Sequence, residues 1–402
     1  MFVGDQWDYN EPTLFHRQSV WAIFRWQSGP WRQGLGGLLS SWIGPLTCWN
    51  SRYDSFIAGG LIIAACLLAL YLKFRVSGKL TAWDSLIPLF VLTPVQYETV
   101  VGATHFSHGP LPLLFVIAFC LAWTIRRSAL KYAALLLITF ICTYTGFGIF
   151  VGLLCPFAIA LDMWTRRREM QNSEKCASKV ALALAGLSLA SFLIGYRFAD
   201  GVCPPHGLGS PVHYFLFAAF MFANFVGLKA PLALVSSILG GSGLLLFVLG
   251  VLLFAMRKRQ IIPLVLISYS LLFAVGAAHG RMCLGLATAI GSRYMIYLMP
   301  AFLGIYLIMS GYDCIKDRVM RTVMLSLLTV LALLSSFTIN SVDRRDMAAI
   351  RRLRIEWRQC YLAEHDLSRC NQKTGATMYS YPDRIQTKID FVEAHRLNLF
   401  SQ

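Results

Sequence analysis

Long apolar runs separated by short polar loops dominate the chain from about residue 55 to residue 340. Several runs approach 20 residues, the length that an α-helix needs to cross a hydrocarbon core of about 30 Å. The runs are continuous rather than alternating, which excludes the strand pattern of an outer-membrane barrel. The pattern predicts an all-α polytopic transmembrane bundle of about ten spans, at residues 55–73, 85–104, 110–125, 130–145, 147–164, 178–196, 236–256, 261–279, 293–311 and 320–340.

The first 54 residues follow a different pattern and contain six of the ten tryptophans. Amphipathic helices rich in tryptophan lie in the membrane interface. We therefore expect two interfacial helices before the first span, and a further helix upstream of Met1 that would carry this region across the membrane. Their apolar positions recur at helical spacing, at Leu14, Trp21 and Phe24 and again at Trp31, Leu35, Leu38, Leu39 and Trp42.

Composition agrees with a membrane protein and excludes a soluble enzyme or a disordered chain. Hydrophobic residues make up 56% of the sequence and charged residues only 14%, whereas soluble domains carry about 25% charged residues. The net charge of +16 is unevenly distributed, because five short loops hold 17 of the 36 lysines and arginines. Such loops face the cytoplasm. The positive charge therefore indicates how the protein is oriented in the membrane and predicts no nucleic-acid partner. The five loops are Lys73–Lys79, Arg126–Lys131, Arg166–Lys179, Arg257–Arg259 and Lys316–Arg321.

This orientation has consequences for the rest of the chain. Segment 213–227 is apolar but short, and a full crossing there would place Arg257–Arg259 outside. We therefore predict a re-entrant or interfacial helix at 213–227. The sequence divides into an outer-face region at 1–54, a transmembrane bundle at 55–340 and an extracytoplasmic tail at 341–402. The predicted location is a bacterial inner membrane, with membrane lipid as the surrounding partner.

The tail is polar and contains Cys360 and Cys370, ten residues apart. In an extracytoplasmic compartment a disulfide between them is favoured over two free thiols. Most other cysteines, such as Cys66 and Cys120, lie inside apolar runs, where a thiol behaves as a small hydrophobic group.

Candidate chemistry clusters on the predicted outer face. Asp5, Asp8 and Glu11 are spaced three residues apart in GDQWDYNE, where carboxylates can act as a general base or hold a divalent cation. A solvated acidic loop that caps a helix has the same pattern, so both interpretations, a functional site and a capping loop, stay open. Asp8 is the first candidate for catalysis and Asp5 the second. No metal site is assigned, and a divalent cation stays open.

Cationic and imidazole side chains occur on the same predicted face. Arg293 and Tyr294 open a late span, where a guanidinium either binds phosphate or extends to the interface. Arg281 and His279 could join Arg293, and Arg32 is a weaker candidate for substrate binding. His105 and His108 lie three residues apart near Glu98. They either bind a metal together or belong to a polar loop without one.

The acidic motif followed by interfacial helices, the late SRY motif with Pro300 and the outer tail resemble the GT-C superfamily of glycosyltransferases. The resemblance implies a polyprenyl-phosphate-linked sugar as donor and a role in the cell envelope. It implies that Asp8 or Asp5 is the catalytic base and that Arg293 contacts the lipid phosphate. Tyr294, Glu11 and Arg32 would then help to bind substrate. The spacing here is D-x-x-D rather than a tight acidic pair.

Two other classes stay open. A transporter or flippase of lipid-linked glycans would carry charged residues within its spans at mid-membrane depth, and the predicted spans are nearly free of charge. A catalytically inactive membrane protein is the third interpretation.

Overall fold

The computed structural model describes residues 2, 4–102, 105–198, 210–228, 234–311, 318–337, 341–375, 378–379 and 382–401. This part of the chain is all-α apart from one two-stranded hairpin, in which β1 (Gln27–Ser28) pairs antiparallel with β2 (Trp31–Arg32). The α-helices are α1 (Gln6–Tyr9), α2 (Val20–Arg25), α3 (Gly34–Leu46), α4 (Ser51–Ser77), α5 (Leu86–Val91), α6 (Tyr97–Val101), α7 (Pro110–Ala122), α8 (Ser128–Thr143), α9 (Ile149–Arg166), α10 (Asn172–Ser191), α11 (Pro211–Phe225), α12 (Leu234–Arg257), α13 (Ile261–Arg281), α14 (Met295–Gly311), α15 (Arg318–Phe337), α16 (Ser341–Glu364), α17 (Leu367–Thr374) and α18 (Pro382–Ala394). A π-helical turn lies at Glu11–Phe15, and short 3₁₀ turns lie at Ala82–Ser85, Pro94–Gln96, Gly146–Gly148, Met282–Leu284, Leu286–Ile290, Ser292–Tyr294 and Asn398–Phe400.

The predicted helical membrane bundle is confirmed, but the predicted number of about ten spans is not. Six helices among the described residues are long and apolar enough to cross a membrane. Helices α7 and α8 have only 13 and 16 residues, and α10 begins with a polar turn. The predicted span at 85–104 is divided into α5 and α6 around Pro94, whose ring cannot donate a backbone hydrogen bond. The six helices are Ser51–Ser77, Gly146–Arg166, Leu234–Arg257, Ile261–Leu284, Ser292–Ser310 and Val319–Ser336.

Four of the basic loops lie together at one end of the bundle, which we call the basic end (residues 73–79, 126–131, 166–168 and 257–259). Arg75 donates to the carbonyl oxygen of Thr124 at 2.9 Å, and the guanidinium of Arg259 lies 5.0 Å from the ring of Trp164. Lys131 pairs with Asp162 at 3.3 Å. In the fifth loop, Lys316–Arg321, residues 316–317 lie outside the described residues, and α15 begins at Arg318.

A second core covers the opposite end, which we call the capped end. The segments predicted as separate regions, 1–54 and 341–402, contribute jointly to this core. Gly4 N donates to Met378 O at 2.8 Å, and Asn398 N donates to Cys48 O at 2.8 Å. Cys360 and Cys370 form a disulfide within it, with a Cα–Cα distance of 5.7 Å. Its buried members are Phe2, Trp7, Leu14, Trp49, Trp357, Cys360, Tyr361, Leu367, Cys370, Met378, Tyr379, Ile385, Ile389, Val392 and Leu399.

The N-terminal region contains two helices of the predicted amphipathic kind, although the first is short. Trp21 on α2 and Trp42 on α3 are both more than half exposed, whereas Leu14 is buried in the second core. Exposed tryptophans beside a membrane bundle are typical of an interfacial position.

Helix α11 begins and ends on the same side of the bundle. Its first turn lies at the capped end, because the Tyr214 hydroxyl hydrogen-bonds His279 Nδ1 at 3.0 Å at the end of α13. Helix α12 ends at the basic end and, with 24 residues, is about 36 Å long at 1.5 Å per residue. The chain therefore enters α12 from the capped side. Like a re-entrant helix, α11 does not cross the bundle.

Candidate functional site

The loop His105–Gly109, between α6 and α7, forms the floor of the candidate site at the capped end. Ser107 is fully buried, and its hydroxyl donates to Gln33 O at 2.5 Å. Glycines allow this close approach, since a Cβ on Gly36 would lie 2.0 Å from Ser107 Oγ and one on Gly146 would lie 2.0 Å from Ser107 O. These contacts hold the start of α3 against the loop His105–Gly109.

His105 and His108 bring two imidazoles into this buried floor. Both ring nitrogens of His105 and Nε2 of His108 are buried and have no hydrogen-bond partner among the described residues. The centroids of the two histidine rings are 5.0 Å apart, and the rings of His105 and Tyr9 pack edge to face with their centroids 4.6 Å apart. Burial lowers the pKa of His105 to about 4 and, together with the neighbouring His105 and Arg281, that of His108 to about 3. Both rings are therefore neutral near pH 7.

Charges of both signs surround these histidines. Asp5 and Arg281 each act electrostatically on His108, and Asp5 also interacts with Arg293. Asp5 and Arg293 are exposed. Among the described residues no group of opposite charge lies within 4 Å of the side chains of Asp5, Arg281 or Arg293. The site thus combines the carboxylates of Asp5 and Glu98 and two guanidiniums with two buried, neutral imidazoles.

Glu98 fixes the turn that presents Arg293. Its carboxylate accepts a hydrogen bond from Arg293 N at 2.9 Å, while its own backbone N donates to Ser292 Oγ at 2.9 Å. The Arg293 guanidinium lies 5.3 Å from the ring of Tyr294. That ring is buried and packs near Phe273 at 6.1 Å. The buried ring of Tyr294 therefore supports the Arg293 guanidinium from the interior of the bundle.

The structure separates the two other acidic residues from Asp5. Asp8 accepts hydrogen bonds from Lys388 Nζ at 2.9 Å and from the Tyr379 hydroxyl. Glu11 pairs with the same Lys388 at 3.3 Å, and with His16 at 3.4 Å. Burial and the Asp8 carboxylate raise the pKa of Tyr379, so its hydroxyl stays protonated and donates. Asp8 and Glu11 thus attach the N-terminal segment to the tail.

Arg32 has little capacity left for a substrate. Its guanidinium donates four hydrogen bonds to backbone carbonyls, two to Phe192 O and one each to Ile194 O and Arg25 O. Its side chain also lies against the rings of Tyr144 and Phe192. These contacts connect the β1–β2 hairpin to the end of α10.

The described residues give the histidines no third metal ligand. His105, His108 and Glu98 do not bring three ligand atoms within 4.8 Å of one another; the one such group among these residues is Cys360, Glu364 and Cys370. Its two sulfurs are joined in the disulfide, and a metal needs free thiolates.

Sequence reasoning missed the partners that separate these carboxylates. Lys388 lies 380 residues from Asp8 along the chain, and Glu98 lies 195 residues from Arg293. The one usable signal is that Glu98, in the predicted span at 85–104, is close in sequence to His105 and His108 in the outer loop that follows. No protein-family model, no curated protein and no solved structure matches the chain.

Proposed function

We propose that the protein is a membrane glycosyltransferase of the GT-C type, which takes a sugar from a polyprenyl-phosphate donor. The observation that carries the proposal is the grouping of Asp5, Arg281 and Arg293 around His108 at the capped end. Guanidiniums at the membrane surface match the phosphate of a lipid in charge and geometry. The acceptor hydroxyl needs a base within reach of the same point.

The proposed orientation has the basic end in the cytoplasm and the capped end outside the inner membrane. The excess of lysine and arginine in the loops of the basic end supports it. The disulfide of the cap fits an oxidising compartment. The donor would reach the site from the outer leaflet.

In the proposed step, the acceptor oxygen attacks the anomeric carbon of the sugar. The new carbon–oxygen bond forms as the bond between that carbon and the phosphate oxygen breaks, and the electron pair leaves with the phosphate. Arg281 and Arg293 stabilise the released charge, and the acceptor proton passes to the Asp5 carboxylate. Asp5 replaces Asp8 as the first candidate for the base, because Asp8 is already bound by Lys388 and Tyr379.

A lipid-linked glycan flippase is the alternative class, and an inactive membrane protein is another. Transport of a charged headgroup favours ionisable residues at mid-membrane depth. In the described spans the charged residues lie at the helix ends, such as Arg52, Asp54 and Lys73 on α4 or Arg257 on α12. This distribution favours chemistry at one face.

The test is a transfer assay in proteoliposomes, with a panel of polyprenyl-phosphate hexoses and pentoses and release of polyprenyl phosphate as the signal. Asp5→Asn should reduce transfer by about 100-fold or more, the size expected for loss of a general base. Asp8→Asn is the matched control and should keep transfer within a few fold. Equal loss in both variants, or movement of intact donor across the bilayer without release of polyprenyl phosphate, would refute the proposal.

A further inference from the structure

A cavity of about 670 Å³ opens at the capped end, between the β1–β2 hairpin and the residues that follow α10. We call it the arginine pocket. It differs in composition from the site around Asp5, because it contains three arginines and no carboxylate. Its lining consists of Gln18, Ala22, Arg25, Trp26, Gln27, Gly29, Arg32, Ile194, Gly195 and Arg197.

Hydrogen bonds that do not use the side chains of Arg25 or Arg197 hold the two walls together. The Gln27 amide donates to Arg197 O at 2.5 Å and accepts from Arg197 N at 3.0 Å. Arg32 bridges the same walls through the carbonyls of Arg25, Phe192 and Ile194. The Tyr196 hydroxyl adds a bond to Pro30 O at 3.0 Å. The pocket is therefore preorganised, which lowers the entropic cost of binding.

The pocket carries positive charge that the described residues do not neutralise. No carboxylate among them lies within 4 Å of the guanidiniums of Arg25, Arg32 or Arg197, and Arg25 Nε is buried without a hydrogen-bond partner. Like charges around one cavity repel each other, and a buried donor without an acceptor costs about 1–3 kcal/mol. An anion with several acceptor oxygens offsets the repulsion among the arginines, and guanidiniums match phosphate oxygens in geometry.

Exposed apolar side chains border the same pocket. Leu193 is 60% exposed, Ile194 62% and Phe198 87%, and Trp21 on α2 is 51% exposed. Such a group next to a membrane bundle marks the lipid-facing interface. The fitting ligand thus pairs a charged phosphate with an apolar tail.

We propose that the arginine pocket binds the phosphate of an anionic lipid headgroup, with the acyl chains along Leu193, Ile194 and Phe198. The inference does not rest on the proposed transferase activity, since no residue of the pocket has a role in that step. The phosphate chemistry is shared with free phosphate in solution, so the experiment includes both sources.

The test uses purified full-length protein and native mass spectrometry, which counts lipids retained from mixed micelles of phosphatidylglycerol and phosphatidylcholine. The variant Arg25→Gln/Arg197→Gln removes two charges and leaves intact the backbone bonds of Arg25 and Arg197. Arg197→Gln alone changes only an exposed side chain and serves if the double variant folds poorly. Arg52→Gln, at the same end and exposed, is the matched control, and Arg293→Gln separates this pocket from the proposed active site.

We expect the wild type, Arg52→Gln and Arg293→Gln to retain phosphatidylglycerol in preference to phosphatidylcholine. Each pocket substitution should weaken this retention about tenfold, the loss of one charge-assisted contact. Phosphorus NMR with inorganic phosphate tests the free ion, and weak or absent binding there identifies the lipid as the source. Tight binding of inorganic phosphate would overturn the lipid assignment. Equal retention of both lipids, or no difference between the pocket variants and Arg52→Gln, would overturn the site.

Discussion

The two ends of the bundle differ in whether their charged side chains are paired. At the basic end, Lys73 pairs with Asp84 at 3.2 Å and Lys131 with Asp162 at 3.3 Å, with every one of these side chains at most 7% exposed. Tyr306 adds a hydrogen bond to Asp84 at 2.6 Å. At the capped end, no carboxylate among the described residues lies within 4 Å of the guanidinium group of Arg281 or Arg293; the Glu98 carboxylate binds only the backbone N of Arg293.

The difference separates charges that maintain the fold from charges that are free to meet a ligand. Removing one partner of a buried ion pair leaves an uncompensated charge and is strongly destabilising. A charge without a partner at a membrane edge contributes little to stability, so its presence suggests a role in binding. The predictions below test this distinction.

The largest effect is expected at the buried pair of the basic end. Lys73→Met leaves Asp84 without its cation and should lower the free energy of unfolding by about 3–5 kcal/mol. Arg293→Gln should change it by less than about 0.5 kcal/mol. Chemical unfolding in detergent micelles measures both. Equal losses of unfolding free energy in the two variants would contradict the distinction between the two ends.

The cap depends on a covalent link rather than on buried ion pairs. Cys360→Ser/Cys370→Ser should cost about 2–3 kcal/mol, as expected for a short disulfide loop. Proteolysis of the tail should accelerate accordingly, whereas Cys176→Ser, an exposed free thiol, should leave the rate unchanged. In the wild type, a thiol reagent should label Cys360 and Cys370 only after reduction, and labelling without reductant would contradict the bridge.

Acid should weaken the capped end through its buried histidines. Their folded-state pKa values of about 4 and 3 lie below the ordinary value of 6.5, so the unfolded chain binds more protons between these limits. The contribution of these two histidines to stability is therefore constant above about pH 6.5 and falls as the pH drops below it, by up to about 1.4 kcal/mol per pH unit for each histidine.

Thermal unfolding from pH 7.5 to pH 5 measures this slope, with His105→Gln as the comparison variant. The substitution should flatten the curve in the acid range, because glutamine does not titrate. An unchanged slope would show that His105 does not sit neutral and buried in the folded protein.

The smallest effect is expected at the link between the N-terminal segment and the tail. Asp8 is 32% exposed and Lys388 11%, and ion pairs with such access to water contribute about 0.2–1 kcal/mol. A double-mutant cycle with Asp8→Asn and Lys388→Met measures the coupling. A coupling of several kcal/mol would make this pair comparable to those at the basic end.

The sequence predicts the helical membrane bundle well, because long apolar runs and basic loops are local properties. Helix α4 spans Ser51–Ser77 where 55–73 was predicted, and α13 spans Ile261–Arg281 where 261–279 was predicted. The number of spans is less well predicted, since a proline such as Pro94 divides an apolar run without changing its hydropathy.

The site is predicted only in part, for a physical reason. Asp5 and Asp8 look equivalent in GDQWD, and what distinguishes them is Lys388 on α18 and Tyr379, both in the tail. The shared core of residues 1–54 and 341–402 likewise depends on contacts between distant segments, such as Phe2 N to Asn398 Oδ1 at 3.1 Å. A single sequence carries no signal for these pairings.

The most direct measurement of the central claim is the stabilisation of the protein by polyprenyl phosphate, with the uncharged polyprenol as the control lipid. All proteins carry Arg25→Gln and Arg197→Gln, so that the arginine pocket does not contribute. We predict that polyprenyl phosphate raises the unfolding free energy, by about 2.7 kcal/mol at a hundredfold excess over its Kd. Polyprenol should not, and adding Arg293→Gln should abolish the effect while Arg52→Gln keeps it. An equal shift with polyprenol, or an undiminished shift in Arg293→Gln, would contradict the assignment of the unpaired arginines to a lipid phosphate.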